Sequence, residues 1–279
     1  MTGSRRGRGP PPACSPERVA ERTFLGTLRL AILLAVLAFV ALGAWLDRSR
    51  STDWDAPLRM TLYPIASGDD PALRSHVAAL AADDFGDLAD FFAAEARRHG
   101  LALDEPVRVR VSHAVGAPPP LPAGDAGALG IAAWSLRFRY WAWRVAAHDP
   151  LPTPDIQVFA LYHAGDGTHP VPDSFGLSKG LMALSHLYAA PDAHGSNQVV
   201  VAHELLHTLG ATDKYDRASG RPVVPDGLGD PGQAPLFPQR YGEIMAGRIA
   251  TSASVAEIPV SLARMRVGPA TAREIGWLQ

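Results

Sequence analysis

VAHELLHTLGATDKYD, residues 201–216, places two histidines four apart around a glutamate, then a glycine and an aspartate. The surrounding run SNQVVVAHELLHTLG, residues 196–210, reads as a helix. Ser196 or Asn197 offers an N-cap, and Val199, Val200, Leu205, Leu206 and Leu209 supply burial. Side chains four apart leave a helix on one face, about one turn from each other, so His203 and His207 can grip a single divalent ion. Glu204 follows the first histidine and stands beside such an ion rather than on it, where it can take a proton from water.

Two imidazoles do not complete a catalytic site, which usually takes three protein ligands and leaves a position for water. Gly210 shows where a third could come from. A glycine just past a helix adopts the left-handed conformation and turns the chain sharply. Three residues beyond that turn, Asp213 can return beneath the histidine pair, whereas an extended helix would carry it away. Asp213-Lys-Tyr-Asp216 is also good turn chemistry, so a loop-stabilising role for this carboxylate stays open.

His203, Glu204, His207, Gly210 and Asp213 together resemble the extended zinc signature of the metzincins, in the variant that ends in Asp rather than His. Within that group the pattern resembles the snapalysin family of small bacterial secreted peptidases, and G-A-T-D-K-Y-D is similar to the equivalent region of immune inhibitor A-type peptidases. YGEIMAG, residues 241–247, resembles the methionine-containing turn that those proteins carry beneath the metal, with Met245 in the expected place. The resemblance covers residues 196–216 and 241–247. It implies Zn²⁺ as cofactor, Glu204 as general base and proteolysis by a metal-activated water. Glu243 competes with Asp213 for the third-ligand role, as in zincins whose last ligand is a distant glutamate. The cysteine switch of matrix-type metzincins is missing, because the only cysteine is Cys14. That single thiol also excludes an intrachain disulfide and a cysteine-based metal site.

Upstream, LRMTLYPI (58–65), PVRVRVSH (106–113), DIQVFALYHA (155–164) and LMALSHLYA (181–189) read as strands. A helical stretch covers 71–100, from Pro71 to Gly100, with a possible break at Gly86. A second covers 128–148 and packs Trp134, Phe138, Trp141 and Val145 into the core, with Arg137 and Arg144 in solvent; a nucleic-acid or membrane-surface patch built from the same arginines and aromatics is the alternative. PATAREIGWL, 269–278, reads as a closing helix. Strand–helix alternation of this order predicts an α/β (α+β) fold. It is similar to the zincin type: a mixed twisted sheet with the active-site helix, and a small irregular C-terminal lobe. The expected domain is 57–279, its upper lobe 57–210 and its lower lobe 211–279. In metzincins the strand before the zinc helix, here 181–189, would be the edge that pairs with substrate. His186 and His194 lack metal spacing and read as loop or surface histidines. In the Gly/Pro loop 217–240, Asp226 and Asp230 either form a plain turn or bind Ca²⁺ with carbonyl help.

The N-terminus has its own character. Residues 1–23 are basic and proline-rich, as expected of a disordered cytoplasmic tail. FLGTLRLAILLAVLAFVALGAWL, residues 24–46, is uncharged from Leu30 to Leu46 and long enough to span a bilayer. It reads as an uncleaved membrane anchor; cleavage as a signal peptide near Ala41-Leu42-Gly43 is the alternative. Arginine is concentrated before the span, which predicts an exported C-terminal domain reached through a polar linker at 47–56. A net charge of -2 gives no general affinity for nucleic acid. The expectation is a membrane-anchored zinc endopeptidase acting on peptide or protein substrates. The rivals are a zinc-binding scaffold that cleaves nothing and a zinc hydrolase acting on cell-envelope amides.

Overall fold

Two apolar runs, LRMTLYPIA and IQVFALYH, form the central strands in the computed structural model, which describes Leu30, Leu34 and residues 53–122, 124, 127–165, 171–177 and 181–278. They are β1 (Leu58–Ala66) and β3 (Ile156–His163), paired in parallel with Met60 opposite Ile156. Parallel β2 (Val107–Val111) lies outside β1, and parallel β5 (Met182–Tyr188) continues the sheet beyond β3. A short strand, β4 (Phe175–Leu177), pairs antiparallel with β5, giving the order β2-β1-β3-β5-β4. The fold is thus mixed α/β around a five-stranded mixed sheet, as expected. The edge differs from expectation: β5 is internal, and β4 takes the outer position beside it.

Period-two alternation sorts the strand side chains onto two faces. Met60, Leu62, Val158 and Ala160 face one way, and Tyr63, Ile65, Phe159 and Leu161 the other. The first face is covered by α1 (Pro71–Ala79), α2 (Gly86–Arg98) and α4 (His194–Thr208). The second is covered by α3 (Ala128–Ala147) through Phe138 and Ala142, with Trp134, Trp141 and Val145 around them. Each fully buried Phe or Leu contributes roughly 1.5–3 kcal/mol. The helical stretch 71–100 is divided as expected, but earlier: Leu80 is extended at ψ 133° and α2 restarts at Gly86. Asp70 caps α1 by accepting from the Ala72 amide at 2.9 Å.

Beyond Thr208 the chain is built from two-residue strands and turns, ending in α5 (Pro269–Glu274). It shares its core with the sheet: Val267, Ile275 and Trp277 pack in the same cluster as Phe92. Glu95, buried on α2, accepts from the Arg266 guanidinium at 2.8 Å and the Val267 amide at 2.7 Å. Trp54 is buried too; its indole donates to the Ile275 carbonyl at 2.7 Å and its ring meets Trp277 edge-on. The folded unit therefore begins inside the stretch expected to be linker. The tail 1–23, the apolar run 24–46 and linker residues 47–52 lie outside the described residues, apart from helical Leu30 and Leu34. Among the described residues, no helix is long and apolar enough to cross a membrane.

Candidate metal centre

Helix α4 begins two residues before the expected caps. Ser196 and Asn197 lie in its first turn, where the Ser196 hydroxyl donates to the Ala193 carbonyl. Asn197 reaches back to β5, accepting from the Tyr188 amide at 3.1 Å and donating to its carbonyl at 2.8 Å. The helix is thereby fastened to the strand before it. At the other end, Gly210 sits at φ +101°. Its amide donates to the His207 carbonyl and the Ala211 amide to the Leu206 carbonyl, the paired bonds of a Schellman ending.

That reversal brings His203, His207 and Asp213 together, with one potential ligand atom from each lying within 4.8 Å of the others. Asp213 Oδ1 is 3.0 Å from His207 Nε2 and 3.4 Å from His203 Nε2. The far ring nitrogens are engaged: His203 Nδ1 is 3.0 Å from the Ile244 carbonyl and His207 Nδ1 is 2.9 Å from the Ala211 carbonyl. A carbonyl can only accept, so both Nδ1 atoms carry the hydrogen. In each neutral ring this leaves Nε2 a bare lone pair aimed at the aspartate. Asp213 Oδ1 is itself buried and has no hydrogen-bond partner. Three acceptors converging on one point is a donor set that suits a cation, and this group could hold a metal ion.

Asp213 Oδ2 accepts from Arg217 at 3.0 Å, a partner four residues on that the sequence reading passed over. With no ion bound and its ring protonated at Nε2, His203, with further help from His207 and Arg217, holds the Asp213 carboxyl well below the usual range. The Thr212–Lys214 segment is pinned from α5. Glu274 accepts from the Thr212 amide and hydroxyl, and buried Lys214 reaches the same carboxylate at 2.7 Å. Glu274 is sixty residues from Lys214, and no local pattern marks that pairing.

The turn at 241–247 packs against the segment that carries Asp213. Met245 is fully buried, its carbonyl accepts from the Lys214 amide at 2.9 Å, and neighbouring Ile244 supplies the carbonyl that orients His203. Glu243 has a different job. Its carboxylate accepts from the Thr271 hydroxyl at 2.6 Å, the Ala246 amide at 3.0 Å and the Gly268 amide at 3.1 Å. It ties the turn to α5, and among the described residues the metal-capable group contains Asp213 and not Glu243.

Glu204 is buried beside His203, and its Oε2 has no partner. Burial pushes this carboxyl up to about 7. It opens onto a cavity of about 690 Å³ shared with the cluster, Tyr215, Asp173 and β4. Strand β4 can lie this close only because its middle residue is Gly176: a Cβ there would sit 2.6 Å from both the Glu204 carbonyl and the His207 Cβ. From the opposite face of the sheet, Phe175 is held by Trp134 and Phe138, ring centroids 5.2 and 5.8 Å away. On the other side of His203, a hollow of about 340 Å³ is lined by Val199, Val200, Ile258 and Pro259, with Arg248 at its wall.

Three other sequence expectations are corrected or narrowed. His186 is buried inside the sheet, not on a loop, because β5 has a neighbour on each side; its Nδ1 is 2.9 Å from His163 Nε2. His194 opens α4 and its ring lies 3.1 Å from the Gln198 amide nitrogen. Asp230 accepts from the Gly232 amide, as a plain turn requires, and neither it nor Asp226 joins a metal-capable group among the described residues.

Fold and site together define a mixed α/β protein with a two-histidine, one-aspartate cluster able to take a metal ion. No known family model matches the chain, and no curated protein matches it.

Proposed function

We propose that this chain is a zinc metallopeptidase, held at a membrane by residues 24–46 with its folded domain exported. The observation that carries the reading is Asp213 Oδ1, buried without a donor and faced by two imidazole nitrogens whose opposite nitrogens are already committed. Zinc on His203, His207 and Asp213 would supply Lewis-acid polarisation of water and of a substrate carbonyl. Glu204 takes the proton from the attacking water as the new C–O bond forms. It then returns that proton to the leaving amine nitrogen as the C–N bond breaks. Glu204 lines the cavity, and its buried Oε2 has no other hydrogen-bond partner to compete for that proton.

Substrate geometry follows from the edge. Among the described residues no strand pairs with the outer side of β4, so an extended peptide can add there by backbone hydrogen bonds. The hollow beside His203 suits an apolar substrate side chain. Glu204→Gln tests the mechanism: metal binding is retained, and hydrolysis of a peptide library falls by about 10²–10⁴-fold. Cleavage at the wild-type rate would remove Glu204 from the reaction. Hydrolysis of cell-wall amides in place of peptides would reassign the substrate.

A further inference from the structure

Helix α3 has a second face that the core does not use. Leu129 is 89% exposed, Leu136 70%, and Tyr140 and Trp143 62% each. At about 100° per residue these four fall within roughly 60° of one another, opposite the buried Phe138. Ala133 and Ala147 continue the stripe, which runs about 27 Å along the helix. Arg137 and Arg144 flank it on one side and Arg139 on the other, and α3 has no acidic residue. Tyr140 and Trp143 stack with their ring centroids 5.9 Å apart.

The chain outside the described residues narrows what covers this stripe. The apolar run ends at Leu46, and Trp54 is already packed into the domain. The seven residues between them span at most about 25 Å. Chain direction adds a second constraint. Helix α3 leads into β3, where the Asp155 amide donates to the Arg59 carbonyl at 2.8 Å and the Arg59 amide to the Asp155 carboxylate at 2.9 Å. Trp143 and Asp155 line one hollow. The Trp143 end of α3 therefore lies near the starting ends of β1 and β3, with Leu58 four residues along the chain from Trp54.

We propose that the outer face of α3 rests on an anionic phospholipid surface, with Leu129 and Leu136 in the acyl boundary. Tyr140 and Trp143 lie at headgroup depth, and Arg137 and Arg144 pair with lipid phosphates. An apolar stripe flanked by arginine and carrying Trp and Tyr is the composition of an interfacial helix. The inference rests on residues 24–46 being a membrane anchor. Docking here fixes the orientation of the domain above the bilayer.

Cys14 is the sole thiol, so Cys14→Ser gives a background for single-site labelling. In the full chain on phosphatidylcholine–phosphatidylglycerol vesicles, an environment-sensitive dye is attached at Leu136→Cys, Tyr140→Cys, Leu34→Cys or Ser254→Cys, one at a time. Dyes at 136 and 140 shift to the blue and lose emission to headgroup-level doxyl lipid, and the dye at 254 does neither. Arg137→Glu with Arg144→Glu reduces quenching at 136, as does pure phosphatidylcholine. A dye at 136 as wet as the one at 254 overturns the proposal. So does a dye shielded at 136 yet unquenched by lipid, which would mean a second copy or another protein covers the stripe. Position 34 reports the anchor separately, through doxyl groups deep in the bilayer: no quenching there removes the anchor on which the docking rests, whereas quenching at 34 with a wet dye at 136 overturns the docking alone.

Discussion

The Ala211 carbonyl lies 2.9 Å from His207 Nδ1, so the turn that ends helix α4 also orients the imidazole four residues before it. Gly210 makes both possible at φ +101°, where a Cβ is strained. Gly210→Ala is expected to cost about 1–2 kcal/mol of folding stability. It should also lower metal affinity by roughly 10–100-fold, the usual effect of disturbing a ligand's outer partner. Thermal unfolding and a metal titration read the two effects. An unchanged affinity would detach the turn from the site.

Gly176 is the second backbone position on which the cleft depends. A methyl group there meets the Glu204 carbonyl and the His207 Cβ at 2.6 Å, so Gly176→Ala must move β4 off α4. Overpacking of this kind costs typically about 1–3 kcal/mol. Hydrogen exchange at the β4 amides should rise in the variant. A crystal structure with β4 undisplaced would show that the helix yields instead.

His186 makes stability depend on pH. Burial, then the neighbouring His163, pushes it down to about 4, against the weaker pull of Asp173. The unfolded chain takes up a proton near 6.5 and the folded one does not, so stability is full above about 6.5 and is lost as pH falls towards 4. A shift of that size is worth on the order of 3 kcal/mol. Urea unfolding at neutral pH and near pH 4.5 measures it. His186→Asn should flatten the dependence, and an equal slope in both proteins would place the acid sensitivity elsewhere.

What was legible in the sequence was local. His203 and His207 lie one helical turn apart, and Gly210 marks the reversal that makes Asp213 available, so the cluster could be read from eleven consecutive residues. The strands were legible from alternation. Strand β4 was not, because Phe175-Gly176-Leu177 has no pattern of its own and becomes a strand only by pairing with β5. The same limit hid the burial of His186, which depends on β5 having neighbours on both sides. It also hid Glu274, which reaches Lys214 across sixty residues. Trp54 looked like linker because its partner, Trp277, is at the far end of the chain.

Zinc content and affinity of the purified protein test the central claim most directly, with wild type measured beside Asp213→Ala and Glu243→Gln. Wild type should bind a single zinc. Glu243→Gln, which disturbs three buried hydrogen bonds, should lose about 1–3 kcal/mol of stability with stoichiometry unchanged. Asp213→Ala should lose zinc affinity by more than the roughly 10–100-fold that outer-partner changes cause. Equal zinc affinity in wild type and Asp213→Ala would contradict the account.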